Sequence, residues 1–235
     1  TLRREPRYFD GAVVEGPFHQ VLAARRGQSD SEASDSIVSN SIVAMATRSI
    51  RMRYVSGIAT PVGYLGGLRI RESARKSLVI ARGFQKLKQL HEDGRTDFYL
   101  TTVTEGNNAA IEALTKERAG LPNYHELGRY FTFILPTHSW QAPRRDPTLQ
   151  IRPLQEKELP ELVAFLNREG QSRLFFPVLD QHDFLTKTST YRDLSLEQIL
   201  CAWRDDRIVG TLAAWDQSGF KQSHVERYTG HWRWS

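Results

Sequence analysis

Apolar and polar positions along the chain change period several times, and each change marks an element. Val21-Leu-Ala-Ala-Arg-Arg26 reads as an apolar strand ending in arginine, and strand resumes at Ile42 and runs to about Tyr54. Within that run Ile50, Met52 and Tyr54 alternate with Arg51 and Arg53, a period of two that puts one face on a core and the other in water. Ser56-Gly57 predicts a turn, and Val62 to Ile70 a strand returning antiparallel, with Gly66-Gly67 as an irregularity in its middle. The period then lengthens. Ile80, Phe84, Leu87 and His91 at helical spacing predict a helix from Ser77 to Asp93 that stops at Gly94. A strand of aromatic and β-branched residues follows at Asp97–Val103, then a helix from about Asn107 to Lys116 with Ala110, Ile111 and Leu114 on one face. Tyr130-Phe-Thr-Phe-Ile-Leu135 reads as a last buried strand.

The C-terminal part repeats some of this grammar. Leu149 to Leu154 predicts a short strand, and Lys157 to Glu169 a helix with Leu159, Leu162, Val163 and Leu166 inward and Gly170 as its stop. Ser195-Leu-Glu-Gln198 has the spacing of a capping box. Ile199 to Trp215 predicts a hairpin about the turn Asp205-Asp206, and Phe220 to Tyr228 would continue it. Ile199-Leu-Cys-Ala-Trp-Arg204 followed by Ile208-Val-Gly210 is similar to Val21–Arg26 followed by Ile42-Val-Ala44, which suggests one architecture occurring twice. Between the strands of the first copy, Gly27 to Ser41 holds six serines and three acidic residues. A segment so poor in apolar surface cannot order itself by burial and is expected to be a mobile loop. Pro136 to Pro147, with adjacent arginines, reads as a linker.

Composition narrows the class. A chain of 235 residues can hold one large or two small domains, each with its own core. A formal net charge of +5 and a pI near 9.4 suit an anionic ligand such as a nucleotide, while Arg and Lys are scattered and do not specifically indicate nucleic acid. The single Cys201 excludes an internal disulfide framework, falls in a predicted strand as a buried small hydrophobe, and suits a reducing cytosol. A cytoplasmic protein without a membrane segment is expected, and the start at Thr1 suggests a piece of a longer protein. The seven histidines form no ligand-spaced pair, so no metal is expected. Nucleophile-elbow and Gly-rich dinucleotide fingerprints are missing.

The chemistry concentrates at one place. The Val62–Ile70 strand feeds the cationic turn Arg71-Glu-Ser-Ala-Arg-Lys-Ser77, which feeds a helix N-terminus. Unpaired amides and the helix dipole both favour an anion there.

The order hairpin, long strand, cationic loop, helix, strand, helix, strand resembles the GCN5-related N-acetyltransferase (GNAT) superfamily. The resemblance rests on Gly63-Tyr-Leu-Gly-Gly-Leu-Arg-Ile70, the loop and helix after it, Phe98-Tyr-Leu-Thr-Thr-Val103, and Asn107-Asn-Ala-Ala110, which is similar to the family's Asn-x-x-Ala. It covers roughly Gln20 to Pro136, and Leu149 to Tyr228 looks like the first half of a second such unit. The fold class it implies is α/β: a GNAT-like mixed, mostly antiparallel central sheet flanked by helices, followed by a partial second GNAT-like unit. The implied division is residues 1–136 as a GNAT-like acyl-CoA-binding domain lacking its first strand and helix, 137–147 as linker, and 148–235 as the N-terminal half of a second domain.

That resemblance also implies a site for acetyl-CoA as cosubstrate. Pantetheine would pair with the backbone of Leu68, Arg69 and Ile70, where a backbone amide could polarise the thioester carbonyl. The pyrophosphate would sit on the loop amides of Arg71 to Leu78, with Arg75, Lys76, Ser77, Leu78 and Asn107 as cofactor contacts. The base for the attacking amine would be Glu72 acting through water, and Tyr124 or Tyr64 would be the acid. Two positions depart from the family: Arg75-Lys-Ser-Leu-Val-Ile80 lacks its loop glycines, and Leu114 stands where a tyrosine often serves as acid. The implied function is acetyl transfer from acyl-CoA to the amine of an unknown substrate by direct attack in a ternary complex, with a homodimer as the oligomer to test and with no specific nucleic-acid partner. The alternative is a non-catalytic GNAT-like interaction or regulatory module that binds CoA weakly or not at all. A basic nucleic-acid-binding protein is the third reading.

Overall fold

A computed structural model of the chain describes residues 2–5, 8–26, 41–75, 77–115, 122–133, 146–186 and 190–225. Its strands are β1 (Leu2–Glu5), β2 (Phe18–Arg25), β3 (Ile42–Val55), β4 (Ile58–Ile70), β5 (Tyr99–Leu100), β6 (Gln150–Pro153), β7 (Ile199–Arg204), β8 (Arg207–Ala213) and β9 (Gln222–Val225). Its helices are α1 (Val79–His91), α2 (Asn108–Thr115), α3 (Leu159–Gly170) and α4 (His182–Leu185). The chain divides into two compact units. Thr1–His19, Arg51–Thr60 and Gln141–Ser235 form unit 1, and Gln20–Ile50 with Pro61–Trp140 form unit 2.

Unit 2 contains most of a four-stranded sheet of order β2-β3-β4-β5. The expected hairpins are present. The amide of Arg26 donates to Ser41 O at 3.2 Å, and the turn between β3 and β4 places Ser56 and Gly57 at φ 51° and 81°. Both angles lie in the left-handed region, the conformation whose twist matches a tight hairpin. β5 joins the far side of β4 in parallel. Helix α1 packs the stripe the sequence assigns to it: Ile80, Phe84, Leu87 and His91 are half-buried, and the neighbours Lys86, Lys88 and Gln89 are exposed. Gly94 ends it at φ 65°.

In unit 1, β6-β7-β8 form an antiparallel sheet with α3 against it. Leu154, Leu159, Leu162, Leu179, Ile199 and Cys201 lead its core. The turn Asp205-Asp206 has φ 49° and 57°, and the amide of Ser195 donates to Gln198 Oε1 at 3.0 Å, as a capping box requires. Gly170 is the last residue of α3 and is buried. A Cβ there would meet Phe176 Cδ1 at 2.3 Å, so this glycine serves close packing and not a positive φ. Cys201 is fully buried and its thiol is pushed up by desolvation, as expected of a packing residue.

Four expectations are corrected. The strand over Asp97–Val103 shrinks to Tyr99–Leu100, because the Thr96 hydroxyl takes over part of its entry: it accepts from the Gly63 amide at 3.1 Å and contacts Pro61 O at 2.8 Å. Tyr130 to Phe133 form no strand and are 67–84 % exposed; residues 134–135 of that expectation lie outside the described residues. Phe220 to Tyr228 do not extend the β7–β8 hairpin. Phe220 sits in a turn, and Gln222–Val225 pair antiparallel with Leu2–Glu5; residues 226–228 lie outside the described residues. The alternation at the end of β3 also fails to separate two faces, since Ile50 and Tyr54 are buried, Met52 is 42 % exposed and Arg51 is buried. Within unit 1 this strand end is covered by the segment Phe175–Val178, whose backbone bonds to Met52 and Tyr54. Residues 27–40 of the serine-rich loop and 137–145 of the expected linker lie outside the described residues.

Candidate functional site

Strand β5 pairs with β4 only at Gly63↔Tyr99 and Tyr64↔Leu100, while β4 runs on from Leu65 to Ile70. Beyond Tyr64, no strand lies on that edge of β4 among the described residues. The backbone of Leu68, Arg69 and Ile70, where the sequence places pantetheine, is therefore on the stretch of β4 past its parallel neighbour. Leu68 and Arg69 are exposed and Ile70 is half-buried. Gly67 has φ 62°, which locates the expected irregularity at the second glycine of the pair. The first glycine is held by space instead: a Cβ on Gly66 would come 2.8 Å from Tyr64 Cε1.

The loop after β4 is anchored and closed. The Arg71 amide donates to Val43 O on β3 at 2.8 Å. Glu72–Ala74 form a 3₁₀ turn, and the amides of Ala74, Arg75 and Ser77 donate to Arg71 O, Glu72 O and Ala74 O at 2.9, 3.2 and 3.1 Å. The Ser77 hydroxyl donates to Ala74 O at 2.7 Å and accepts from the Val79 amide at 3.3 Å, so it organises the start of α1. The cations of this region are spread around that start. Arg69, Arg71, Arg75 and Arg82 are exposed and, among the described residues, form no ion pair with a carboxylate. Glu72 is exposed on the 3₁₀ turn, and Leu78 is 68 % exposed. Lys76 lies outside the described residues.

Two tyrosines reach adjacent threonines just past β5. The Tyr64 hydroxyl is 2.6 Å from Thr102 Oγ1, and the Tyr124 hydroxyl lies beside that of Thr101. Burial raises the Tyr124 phenol above its usual value, and the Thr101 contact opposes that shift. Tyr124 thus holds its proton at neutral pH. Asn107 acts as the cap of α2: its Oδ1 accepts from the Ala110 amide at 3.3 Å, and its carbonyl from Ala110 and Ile111. Leu114 is buried and packs.

Sequence reasoning missed the group that ties this region to the sheet. Arg48 on β3 is fully buried. It forks onto Asp93 with Nη1 and Nη2 each 2.8 Å from a carboxylate oxygen, and it donates to Gln20 Oε1 at 2.8 Å and to the Tyr99 hydroxyl at 3.0 Å. One side chain therefore joins β2, β3, the end of α1 and β5. The Arg48 guanidinium holds the Asp93 carboxyl at about 2, with desolvation opposing and the Arg95 amide assisting. The one signal in the sequence is an arginine inside the apolar run from Ile42 to Tyr54, which composition alone assigns to the wet face.

Hairpin, long strand, basic loop, helix, short parallel strand and further helix follow the order the sequence resemblance implied, without the strand expected to end it, which Tyr130 to Phe133 do not form. The architecture is mixed α/β, a mostly antiparallel sheet flanked by helices. No protein-family model matches the chain, and no curated protein does. Among solved structures the chain is similar to an aminoglycoside acetyltransferase from an uncultured soil metagenomic sample in complex with sisomicin, with 14 % identity over 53 % of this chain and 70 % of that one and a TM-score of 0.39. It is similar to the aminoglycoside 6'-N-acetyltransferase AAC(6')-Ih from Acinetobacter baumannii, with 20 % identity, 53 % and 75 % coverage and a TM-score of 0.36. It is also similar to AAC(6')-Iy in complex with the bisubstrate analogue CoA-S-monomethyl-acetylneamine, with 15 % identity, 52 % and 74 % coverage and a TM-score of 0.36. Among the described residues no helix is long and apolar enough to cross a membrane, and no group of three or more His, Cys, Asp or Glu is placed to hold a metal.

Proposed function

We propose that unit 2 is an acyl-CoA-dependent N-acyltransferase domain. The observation that carries this reading is the extension of β4 past its parallel partner into a loop with several exposed arginines and a helix start. The exposed edge at Leu68–Ile70 suits an extended amide-bearing chain, which can add to a strand edge through main-chain hydrogen bonds. Arg69, Arg71, Arg75 and Arg82, with the positive end of α1, suit a diphosphate.

Acetyl-CoA would supply the activated acyl group as a thioester. A backbone N–H near Leu68–Ile70 would donate to the thioester oxygen, where charge develops during attack. Glu72, through a water, would take the proton that the amine loses as its nitrogen bonds to the carbonyl carbon. Tyr124 would give a proton to the sulfur as the C–S bond breaks, and its half-buried, protonated phenol fits that role. Ser77 holds the helix start, and Asn107 holds α2. The residues at 148–235 are read as the first half of a second GNAT-like unit. The amine acceptor is undefined.

A specific observation favours the second reading, a non-catalytic GNAT-like module. The amides of Arg71, Ala74, Arg75 and Ser77 are spent on protein carbonyls, and the loop has no glycine to bring backbone close to phosphate. The side-chain cations must then carry more of the affinity. Calorimetric titration of the whole chain with acetyl-CoA separates the two. Binding in the micromolar range, weakened at least about tenfold in Arg75→Glu, supports the enzyme reading and leads to assays of amine acceptors. A cooperatively folded chain that gives no heat at millimolar acetyl-CoA refutes that reading and leaves the interaction module.

A further inference from the structure

The charge of unit 2 is sorted along its chain. From Arg69 to His91 there are seven arginines and lysines and a single acid, Glu72, whereas from Glu92 to Glu112 there are five acids and one arginine. The basic half is the end of β4, its loop and the whole of α1. Arg82 and Lys86 stand one turn apart on the exposed side of α1, opposite the half-buried stripe of Ile80, Phe84, Leu87 and His91. Among the described residues neither forms an ion pair with a carboxylate, and Lys86 Nζ donates to Gln89 Oε1 at 3.3 Å.

This placement works against the helix. Like charges at i and i+4 repel, and a cation in the first turn opposes the dipole, which favours acids there; the first turn of α1 has none. Between the two cations lies Gly83, a residue type that weakens a helix. A Cβ on it would meet nothing within 4 Å, so packing within the chain does not require the glycine. Repulsion, dipole and glycine all cost the same exposed surface, and its flat, unneutralised form suits an anionic partner.

The loop narrows which partner. A diphosphate asks for convergent amides, yet those of Arg71, Ala74, Arg75 and Ser77 are spent on protein carbonyls and that of Val79 on the Ser77 hydroxyl. The cations meanwhile continue past the loop, with Lys86 about 10 Å along the helix axis from Val79. That is beyond a diphosphate seated at the helix start. What matches is an anionic surface about two helical turns long that delivers a pantetheine arm on a single phosphodiester, which asks less of the loop. A long polyanion matches less well, because the acids from Glu92 to Glu112 belong to the same unit.

On the acyltransferase reading proposed for this unit, we infer that its acyl group comes from an acidic carrier protein that holds the thioester on a phosphopantetheine arm. The arm lies along Leu68–Ile70, its phosphodiester faces Arg75, and an acidic helix of the carrier lies on Arg82, Gly83 and Lys86. Acetyl-CoA presents the same arm to the same strand edge but sets nothing against Lys86. The amine nitrogen bonds to the thioester carbon, the C–S bond breaks, and the proton leaving the amine balances the one gained by the carrier's thiol.

The test is calorimetric titration of the whole chain at about 0.1 M salt. The ligands are acetyl-CoA, an acyl carrier protein of fatty-acid synthesis bearing an acetyl-phosphopantetheine arm, and the same carrier without its arm. The acetyl carrier is expected to bind in the micromolar range, at least about tenfold tighter than the armless form. Lys86→Glu combined with Gln89→Glu should weaken the acetyl carrier by at least about tenfold and acetyl-CoA by less than about twofold, the second value showing that the variant folds. Acetyl-CoA binding without carrier binding overturns the assignment and leaves the acyltransferase reading in place. Silence with both, from a chain that melts cooperatively, refutes that reading and the assignment together. Duplex DNA of about 20 base pairs binding as tightly as the acetyl carrier also overturns the assignment, in favour of a general polyanion surface.

Discussion

Adding one methyl group at Gly63 tests the packing that places β5, and through it the whole β4 edge. Gly63 pairs with Tyr99, and a Cβ built there would lie 2.2 Å from Tyr99 Cδ1 and 2.5 Å from Cε1. Carbon atoms in contact sit about 3.5–4.0 Å apart, so the ring must move by more than about 1 Å. It has no easy retreat. Its hydroxyl accepts from Arg48 Nε at 3.0 Å, lies 3.3 Å from His91 Nδ1, and its ring meets that of His91 edge-on at 5.7 Å. Overpacking costs about 1–3 kcal/mol, and the hydrogen bond to a charged donor is worth about 1.5–3 kcal/mol. Arg48 keeps Asp93 and Gln20, which puts the second term at its lower end. Reduced freedom of the unfolded chain returns about 0.4–1 kcal/mol. Gly63→Ala should therefore destabilise by about 2–4 kcal/mol. Urea unfolding followed by far-UV circular dichroism measures the loss, and hydrogen exchange of the β4 and β5 amides shows whether it is local. In a Tyr99→Ala background the same methyl should cost much less, the 3.1 Å approach of the Cβ to Phe98 O being the contact that remains. A Gly63→Ala chain within about 0.5 kcal/mol of the parent, or an equal cost in both backgrounds, refutes the steric reasoning.

Arg48→Met keeps the stem of a fully buried side chain and removes its charge, leaving Asp93, Gln20 and Tyr99 without their donor. Breaking a buried pair costs about 3–5 kcal/mol; Asp93 is 29 % exposed and can rehydrate, so the lower end is expected, again by urea unfolding. Acid should destabilise the chain through two depressed carboxylates. Arg48 holds Asp93, and Arg152 holds Glu158, each at about 2 against ordinary values of 3.8 and 4.5. A depressed acid contributes stability that is present above its unfolded value and is lost as pH falls toward its folded one. The urea midpoint should drop between pH 5 and 2, and Glu158→Gln should flatten part of that drop; a midpoint constant over this range contradicts the pairing. Both carboxylates are partly open to solvent, so high salt should shrink the effect.

Local chemistry was enough for much of this fold. Ser56-Gly57 and Asp205-Asp206 adopt positive φ because short polar and glycine residues accept it, and a turn involves only its own neighbours. The stripe Ile80, Phe84, Leu87, His91 and the stop at Gly94 likewise bound α1 to within a turn. The stretch of the candidate site from Leu68 to Leu78 was legible for the same reason: strand, loop and helix start are consecutive in the chain. Tertiary structure alone decided what depends on partners distant in sequence. Tyr130 to Phe133 have every residue a strand favours, yet β propensity describes fit to a neighbouring strand, and the described residues provide none. Gln222–Val225 look like a continuation of their hairpin and pair instead with Leu2–Glu5, at the other end of the chain. Arg48 and Arg51 carry the same side chain in the same strand, and nothing in their neighbours announces burial. Arg48 is made tolerable by Asp93, a charge that only folding brings within 2.8 Å, and Arg51 by Asp183, which folding brings within 3.7 Å. A buried charge is settled by its three-dimensional partners, and those are not written beside it in the sequence.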